Sequence, residues 1–124
     1  MLNQGNVYAT VAVKDPAIIK DFYGDTLGLE IVSENPGGVT FESGNGKLFV
    51  YAAPSGGTNQ ATSASWEVDD VAAAVADLAS KGVTFEHYDM EGVEWEGDVA
   101  VMGPMRVAWF KDPAGNTLML GNAG

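Results

Sequence analysis

Near its carboxyl end the chain reads Phe110-Lys111-Asp112-Pro113-Ala114-Gly115-Asn116-Thr117-Leu118-Met119-Leu120. An apolar run enters this stretch, a turn of Asp, Pro, Gly and Asn follows, and a second apolar run leaves it. Proline presets the backbone angle of a turn, while glycine and asparagine tolerate its left-handed positions. Two apolar runs joined in this way predict a β-hairpin at the end of the fold.

The first half of the chain has the pattern of one strand, one helix and three further strands. Asp15-Pro16 supplies a helix N-cap followed by proline at the first helical position, and Gly28 suits the left-handed residue after the helix. Apolar residues between them fall on one stripe at helical spacing. The predicted strands are residues 7–13, 29–33, 39–42 and 47–51.

The second half repeats this order after a stretch with the composition of a linker. Val13 aligns with Val68, and Asp15 with Asp70, at the same offset. A whole unit is therefore duplicated, which predicts an α+β fold of two tandem βαβββ modules within a single domain of residues 1–124. The predicted bounds are 1–54 for module one, 55–61 for the linker and 62–124 for module two, with strands at 63–68, 83–88, 105–111 and 116–121.

The second copy is longer than the first because of residues 89–104, which are rich in Gly and Glu. Two interpretations stay open for this insertion: an additional strand at 99–102, or a flexible cover over a site. Its acidic residues are interpreted as a solvated loop. The single histidine, His87, precedes the insertion and is predicted to lie on the surface or on an edge strand, because one histidine cannot form a multi-ligand site.

Composition limits the classes of function. The 6 basic and 17 acidic residues give a net charge of −11 at pH 7, which opposes binding to nucleic acid and to anionic membranes. This charge either solvates the surface or favours a cationic ligand. Without cysteine, disulfides and thiolate chemistry are excluded, and a reducing cytoplasm is compatible. No apolar run approaches about 18 residues and no leader pattern opens the chain, so neither a membrane span nor a signal peptide is predicted.

The chain resembles the vicinal oxygen chelate superfamily in three features: the repeat, the Val-Asp-Asp-Val sequence at 68–71 and the Asp-Pro-x-Gly-Asn turn at 112–116. That superfamily includes glyoxalase I, extradiol dioxygenases, fosfomycin resistance enzymes and bleomycin resistance proteins. The resemblance implies a glyoxalase-like fold, in which curved half-barrel sheets surround a cavity, and a homodimer. In metal-dependent members, His, Gln or Glu side chains hold a divalent ion that chelates substrate oxygens.

The resemblance also identifies where such metal ligands would lie. Tyr8 takes the place of the ligand histidine in the first strand, Ser63 takes the matching position of module two, and Met119 takes the place of the ligand glutamate. The strand that closes module one offers Phe49 or Tyr51. Catalytic divalent ions need nitrogen or carboxylate donors. The family's metal mechanism is therefore not carried over, and no metal, cofactor or catalytic residue is assigned.

Strand alternation sorts the remaining side chains by face. Residues 7, 9, 11 and 13 are predicted to pack beneath the first helix, and Trp66 beneath the second. The opposite face would form an aromatic cavity wall dotted with hydroxyls, which suits a flat or amphipathic small molecule. The alternative is that these side chains fill the barrel. The predicted cavity residues are Tyr8, Thr10, Phe49, Tyr51, Ser63, Ser65, Trp109 and Met119.

Three functions are compatible with these patterns. The preferred one is a cytoplasmic binding protein of the glyoxalase/bleomycin resistance type that lacks the metal ligands and sequesters a small aromatic or cationic compound. The alternative is a metal-dependent lyase or dioxygenase of the glyoxalase/extradiol type, whose ligands are unrecognised or come from a partner chain. The third is a module with a filled cavity that serves protein interaction.

Overall fold

The structure is a computed structural model that describes residues 1–122. Ten strands and two helices lie within these residues, besides a short 3₁₀ turn at Leu2–Gln4. Helix α1 spans Ile19–Thr26, and helix α2 spans Val71–Ser80. The strands are β1 (Ala9–Val13), β2 (Glu30–Asn35), β3 (Gly38–Ser43), β4 (Gly46–Ala52), β5 (Thr62–Glu67), β6 (Phe85–Glu86), β7 (Glu94–Glu96), β8 (Val99–Met102), β9 (Met105–Lys111) and β10 (Thr117–Gly121).

The strands form two sheets with the same internal order. Sheet one has the order β1-β4-β3-β2, with β1 parallel to β4 and the other neighbours antiparallel. Sheet two has the order β5-β10-β9-β8-β7, with β5 parallel to β10. Each half of the chain thus pairs its last strand with its first, which confirms the α+β fold of two βαβββ units. The two sheets meet where β1 contacts β5.

One strand of module two differs from its prediction. The sequence predicts a strand over residues 83–88, but only Phe85–Glu86 pairs with β9, opposite Phe110 and Trp109. β8 pairs with the first half of β9, so β6 and β8 together take the place beside β9 that β2 takes alone beside β3 in module one. The insertion therefore contains the additional strand that one interpretation predicts, at Val99–Met102, and β7 pairs with it as a hairpin.

A single hydrophobic core contains side chains from both halves of the chain. Alternate residues of the central strands point into it, as the two-residue period of a strand requires. Val7 does not join this core, since it precedes β1 and is 97% exposed, so the prediction that it packs beneath the first helix is wrong. The largest fully buried side chains are Val11, Val13, Tyr23, Phe41, Val50, Phe110 and Leu118.

A buried polar cluster fixes the turn between β9 and β10. Asp112 Oδ1 accepts the Asn116 backbone N–H at 2.8 Å, and Asp112 Oδ2 accepts the Asn116 amide at 2.8 Å and the Tyr23 hydroxyl at 2.6 Å. The Asn116 amide also donates to the Ala12 carbonyl at 2.7 Å. Because Tyr23 lies on α1 and Ala12 on β1, this turn ties the second half of the chain to the first.

The Tyr23 side chain is fully buried. Burial raises the pKa of its phenol far above the ordinary value of 10.0, and the neighbouring Asp112 carboxylate and the hydrogen bond to it act in the same direction. The hydroxyl therefore stays protonated and remains a donor to Asp112 over the whole physiological range.

Helix α2 begins at its predicted cap. Asp70 Oδ1 accepts the Ala73 backbone N–H at 3.0 Å, which satisfies one of the free donors of the first turn. Gly82 follows the helix with φ +90, the left-handed conformation that its position predicts. Neither helix within residues 1–122 is long and apolar enough to cross a membrane.

Candidate ligand-binding face

Each sheet carries its helix on one face, and the predicted cavity residues follow the opposite, helix-free face. In module one, Thr10 of β1 lies directly beside Phe49 of β4, and Tyr51 follows two residues along the same strand. The Phe49 and Tyr51 rings are stacked, with centroids 5.9 Å apart and planes 11° apart. Both aromatic side chains are half-buried, and Thr10 is exposed at their edge. Sheet one thus presents a flat aromatic surface with one hydroxyl beside it.

In module two, three predicted residues form one row across the sheet. Met119 of β10 lies between Ser65 of β5 and Trp109 of β9 in the strand register. Met119 and Trp109 are half-buried, and Ser65 is exposed. Ser63 is the extra residue at a register shift between β5 and β10, because Thr62 pairs with one neighbour and Ala64 with the next. The bulge separates Ser63 from the regular row.

Tyr8 lies outside the two sheets. It immediately precedes β1 and has no strand partner, and 55% of it is exposed. The structure therefore brings the predicted residues together within each sheet, in the Phe49 group and in the Trp109 group, and leaves Tyr8 at the margin.

An aromatic cluster surrounds Trp109. It consists of Trp109, Trp95, His87 and Tyr88. The Trp95 ring lies 6.5 Å from Trp109, Tyr88 packs edge-on against Trp109 at 5.4 Å, and His87 stacks on Trp95 at 4.2 Å with the planes 7° apart. His87 Nε2 also pairs with Asp98 Oδ1 at 2.8 Å. The hairpin of β7 and β8 thus adds Trp95 to the helix-free face and is fixed there through His87.

Three members of this cluster, Trp95, His87 and Tyr88, are not predicted as site residues. The sequence leaves two interpretations open for the insertion, a strand or a cover, and it predicts that His87 lies on the surface or on an edge strand. One signal was available: Trp95 stands between Glu94 and Glu96, which is the alternation of a short strand with one apolar face. The stacking of His87 on Trp95 joins residues on two different elements, so no local pattern predicts it.

The charges beside the aromatic cluster are mostly acidic. Glu86 lies opposite Trp109 in the register and Asp98 holds His87, while Lys111 lies two residues from Trp109 on the same side of β9. Glu94 and Glu96 lie on the other side of β7 from Trp95. Aromatic faces attract cations through their quadrupole, and surrounding carboxylates strengthen that attraction.

The fold and these positions together define a class of protein, and comparison with known families identifies it. The sequence profile of the Glyoxalase/Bleomycin resistance protein/Dioxygenase superfamily matches residues 6–120. The chain belongs to this superfamily, as its repeat and its Asp-Pro-x-Gly-Asn turn predict. Comparison with curated protein sequences gave no match.

Solved structures with the same fold include proteins of different stated roles. An antibiotic-binding protein, TnmS3 from Streptomyces sp. CB03234, is 24% identical, with a TM-score of 0.69 over 97% of this chain and 96% of that one. A glyoxalase/bleomycin resistance protein from the same organism is 25% identical, with a TM-score of 0.66 over 94% and 98%. A lactoylglutathione lyase from Agrobacterium tumefaciens is 18% identical, with a TM-score of 0.68 over 95% and 92%.

The residues at the family's metal positions do not fit a catalytic divalent ion. Tyr8, Ser63 and Met119 offer a phenol, an alcohol and a thioether, whereas such an ion needs imidazole or carboxylate ligands. Within residues 1–122, no three His, Cys, Asp or Glu side chains are gathered in a way that could hold an ion. These positions therefore give no basis for a metal-dependent step.

Proposed function

We propose that the protein binds and sequesters a small aromatic compound, preferably a cationic one, on the helix-free face of its sheets. The observation that supports this most strongly is a pair of aromatic surfaces on that face. Phe49 and Tyr51 form one surface, on the strand where the family pattern offers a metal ligand, and Trp109 with Trp95 forms the other, where Trp109 lies beside Met119 in the register. A face that offers rings in place of imidazoles and carboxylates is suited to stacking rather than to Lewis-acid catalysis.

Two physical terms would contribute to the affinity. Stacking between aromatic rings adds about 0.5–1.5 kcal/mol per pair beyond the burial of apolar area. A cation over a Trp face adds about 0.5–2 kcal/mol, and the larger values apply where the site excludes water. Thr10, exposed beside Phe49, and Ser65, exposed beside Met119, would orient the ligand through hydrogen bonds.

The Streptomyces antibiotic-binding protein supports the proposal by analogy of fold. The structural match extends over nearly the whole of both chains. This architecture therefore serves binding in at least one protein of similar length. The lactoylglutathione lyase shows that the same architecture also serves an enzyme, so a metal-dependent lyase or dioxygenase is the second candidate. The two candidates differ in whether a divalent ion is required.

Isothermal titration calorimetry with matched planar probes tests the proposal. Proflavine carries a positive charge at neutral pH, acridine is neutral, and anthracene-9-carboxylate is negative. We expect proflavine to bind most tightly and the carboxylate most weakly. Replacement of one stacking ring, Trp109→Leu or Phe49→Ala, should weaken proflavine binding about tenfold. Leu2→Ala, in the exposed turn at the amino end, is the control. Equal affinity of Trp109→Leu and Leu2→Ala would contradict the proposal.

We also propose that the protein is a homodimer and that it works in the cytoplasm. The first proposal rests on the habit of the family, and it is supported by Ile31 and Val32, which are 41% and 46% exposed on the free edge of sheet one. The second rests on the lack of cysteine. Sedimentation velocity should give a dimer that Val32→Glu weakens, and cell fractionation should recover the protein with cytoplasmic enzymes.

A further inference from the structure

A separate cleft lies on the opposite side of sheet two, between the sheet and helix α2. Its volume is about 200 Å³. Trp66, Phe110 and Leu120 form its floor, Ala74 and Leu78 of α2 form one wall, and Leu27, just after α1, contributes the other. None of these side chains belongs to the helix-free face, because Trp66 and Leu120 point to the opposite side from Ser65 and Met119. The cleft is therefore distinct from the proposed ligand-binding face.

The cleft exists because α2 covers an aromatic floor with small side chains. Of the α2 residues, only Val71 and Val75 are buried, and Ala74, which lines the cleft, contributes no more than a methyl group. The floor rings of Trp66 and Phe110 lie 6.2 Å apart with their planes 32° apart. Trp66 stays half-buried as a result. Apolar surface left open in this way contributes about 25 cal/mol per Å² when a ligand covers it.

The dimensions of the cleft select a small ring system. An apolar cavity of about 150 Å³ is enough to bind benzene, so about 200 Å³ admits one ring or two fused rings. A helix of a partner protein is too wide for it, since a helix with its side chains is about 10 Å across. The tilted rings of Trp66 and Phe110 offer the offset contacts that an aromatic ligand prefers.

The charge of the cleft selects the polar end of the ligand. Asp77 is the one charged side chain in its lining among the described residues. Its carboxylate is 63% exposed, and its partner, Lys81, lies 3.4 Å away as an i, i+4 pair on the helix surface. Exposed pairs of this kind are weak, so an ammonium group of a ligand can displace Lys81 from the Asp77 carboxylate. A carboxylate on the ligand would be repelled instead.

From these features we propose that the cleft beside Trp66 is a second ligand site, which binds a one- or two-ring aromatic amine. The ring lies between the Trp66 and Phe110 floor and Ala74, and the ammonium group pairs with Asp77. The site needs no metal and no partner chain.

Three indole probes test the site, with NMR chemical shifts of the full-length protein to locate binding. Tryptamine should bind about three- to fivefold more tightly than indole, and indole-3-acetate more weakly than either. The shifts should affect residues of α2 and the strands beneath it. Ala74→Met fills the cleft and should abolish the shifts that all three probes cause in α2 and the strands beneath it, whether or not a probe also binds on the helix-free face. Ala72→Met places the same side chain on an exposed position of the same helix and should bind as the wild type does. Asp77→Asn should remove the preference for tryptamine while indole still binds.

Several results would overturn this proposal. Shifts confined to the helix-free face would mean that the probes bind only there. Equal probe-induced shifts of α2 in Ala74→Met and Ala72→Met would exclude the cleft as the binding site. Equal affinity for tryptamine and indole-3-acetate would exclude the preference for an amine. A change of sedimentation in Ala74→Met but not in Ala72→Met would assign the cleft to contact with a second copy of the chain.

Discussion

Tyr23, Asp112 and Asn116 form a network in which a carboxylate buried to 4% exposure accepts three hydrogen bonds from the other two residues. Burial of an ionised carboxylate is costly unless such donors surround it. No buried side-chain nitrogen or oxygen lacks a partner within residues 1–122. The turn that predicts the fold from the sequence is thus held by side chains from both modules, which is why its residue types are so specific.

Removal of the asparagine amide tests this network. Asn116→Ala deletes the donors to Asp112 and to the Ala12 carbonyl, so we expect a loss of about 3 kcal/mol in the free energy of unfolding. Asn45→Ala, in the exposed turn between β3 and β4, should change it by less than about 0.5 kcal/mol. Urea denaturation of both variants measures the difference. Similar stability of the two would show that the network contributes little.

The phenol of Tyr23 gives the protein a predictable sensitivity to alkali. Its pKa is raised in the folded state, mainly by burial, so above about pH 10 the unfolded chain releases this proton while the folded chain retains it. The unfolded state then binds fewer protons, and stability falls as the pH rises, by at most about 1.4 kcal/mol per pH unit. Below pH 10 the contribution is fully present.

Tyr23→Phe removes the titrating group. We expect it to lower stability at pH 7 by about 1.5–3 kcal/mol, through loss of the bond to the Asp112 carboxylate, and to flatten the decline between pH 9 and 11. The exposed Tyr8→Phe should retain the decline. Urea unfolding at each pH provides the measurement, and an unchanged slope in Tyr23→Phe would assign the alkaline sensitivity to other groups.

At the level of elements, alternation and caps in the sequence predict most strands and the start of α2, because those signals are local. The interrupted strand of module two is not predicted, since residues 83–88 and 99–102 both have strand character. The length of β9 decides how these two segments pair. Its seven residues, Met105–Lys111, pair with β8 along one half and with β6 along the other. The aromatic cluster depends on this arrangement, so it could not be read from the sequence either.

His87 should govern how firmly the β7–β8 hairpin is held. His87→Ala removes both the stack on Trp95 and the bond to Asp98, so amide exchange in residues 94–102 should accelerate about fivefold, as a loss of about 1 kcal/mol implies. Global stability should change little, because both partners are half-exposed. Asp98→Asn keeps a hydrogen-bonding group and should show a smaller effect. Unchanged exchange in His87→Ala would mean that β8 alone holds the hairpin.

At the level of the whole molecule, the two sheets share one core and one buried polar network. We propose that residues 1–124 form a single domain, with the modules bounded at 54 and 62. Unfolding in urea should then follow one transition, with coincident midpoints by tryptophan fluorescence and by circular dichroism. Two separate midpoints would show that the modules unfold independently.

The superfamily was predictable from sequence because its signals, a repeat and a turn, come in a fixed order. The ligand is harder to predict from the sequence, because the binding surface depends on which side chains of distant strands share a face. Phe49 and Tyr51 are neighbours on one strand and could be predicted as a pair, whereas the approach of Trp95 to Trp109 follows only from the hairpin.

The central claim is that this chain binds its ligand without a metal ion. Calorimetric titration of proflavine in the presence of EDTA, and again with added Mn²⁺, Ni²⁺ or Zn²⁺, tests it most directly, together with the metal content of protein purified without chelator. We expect substoichiometric metal and dissociation constants that agree within about twofold under all conditions. A stoichiometric divalent ion, or binding that EDTA abolishes and the ion restores, would contradict it.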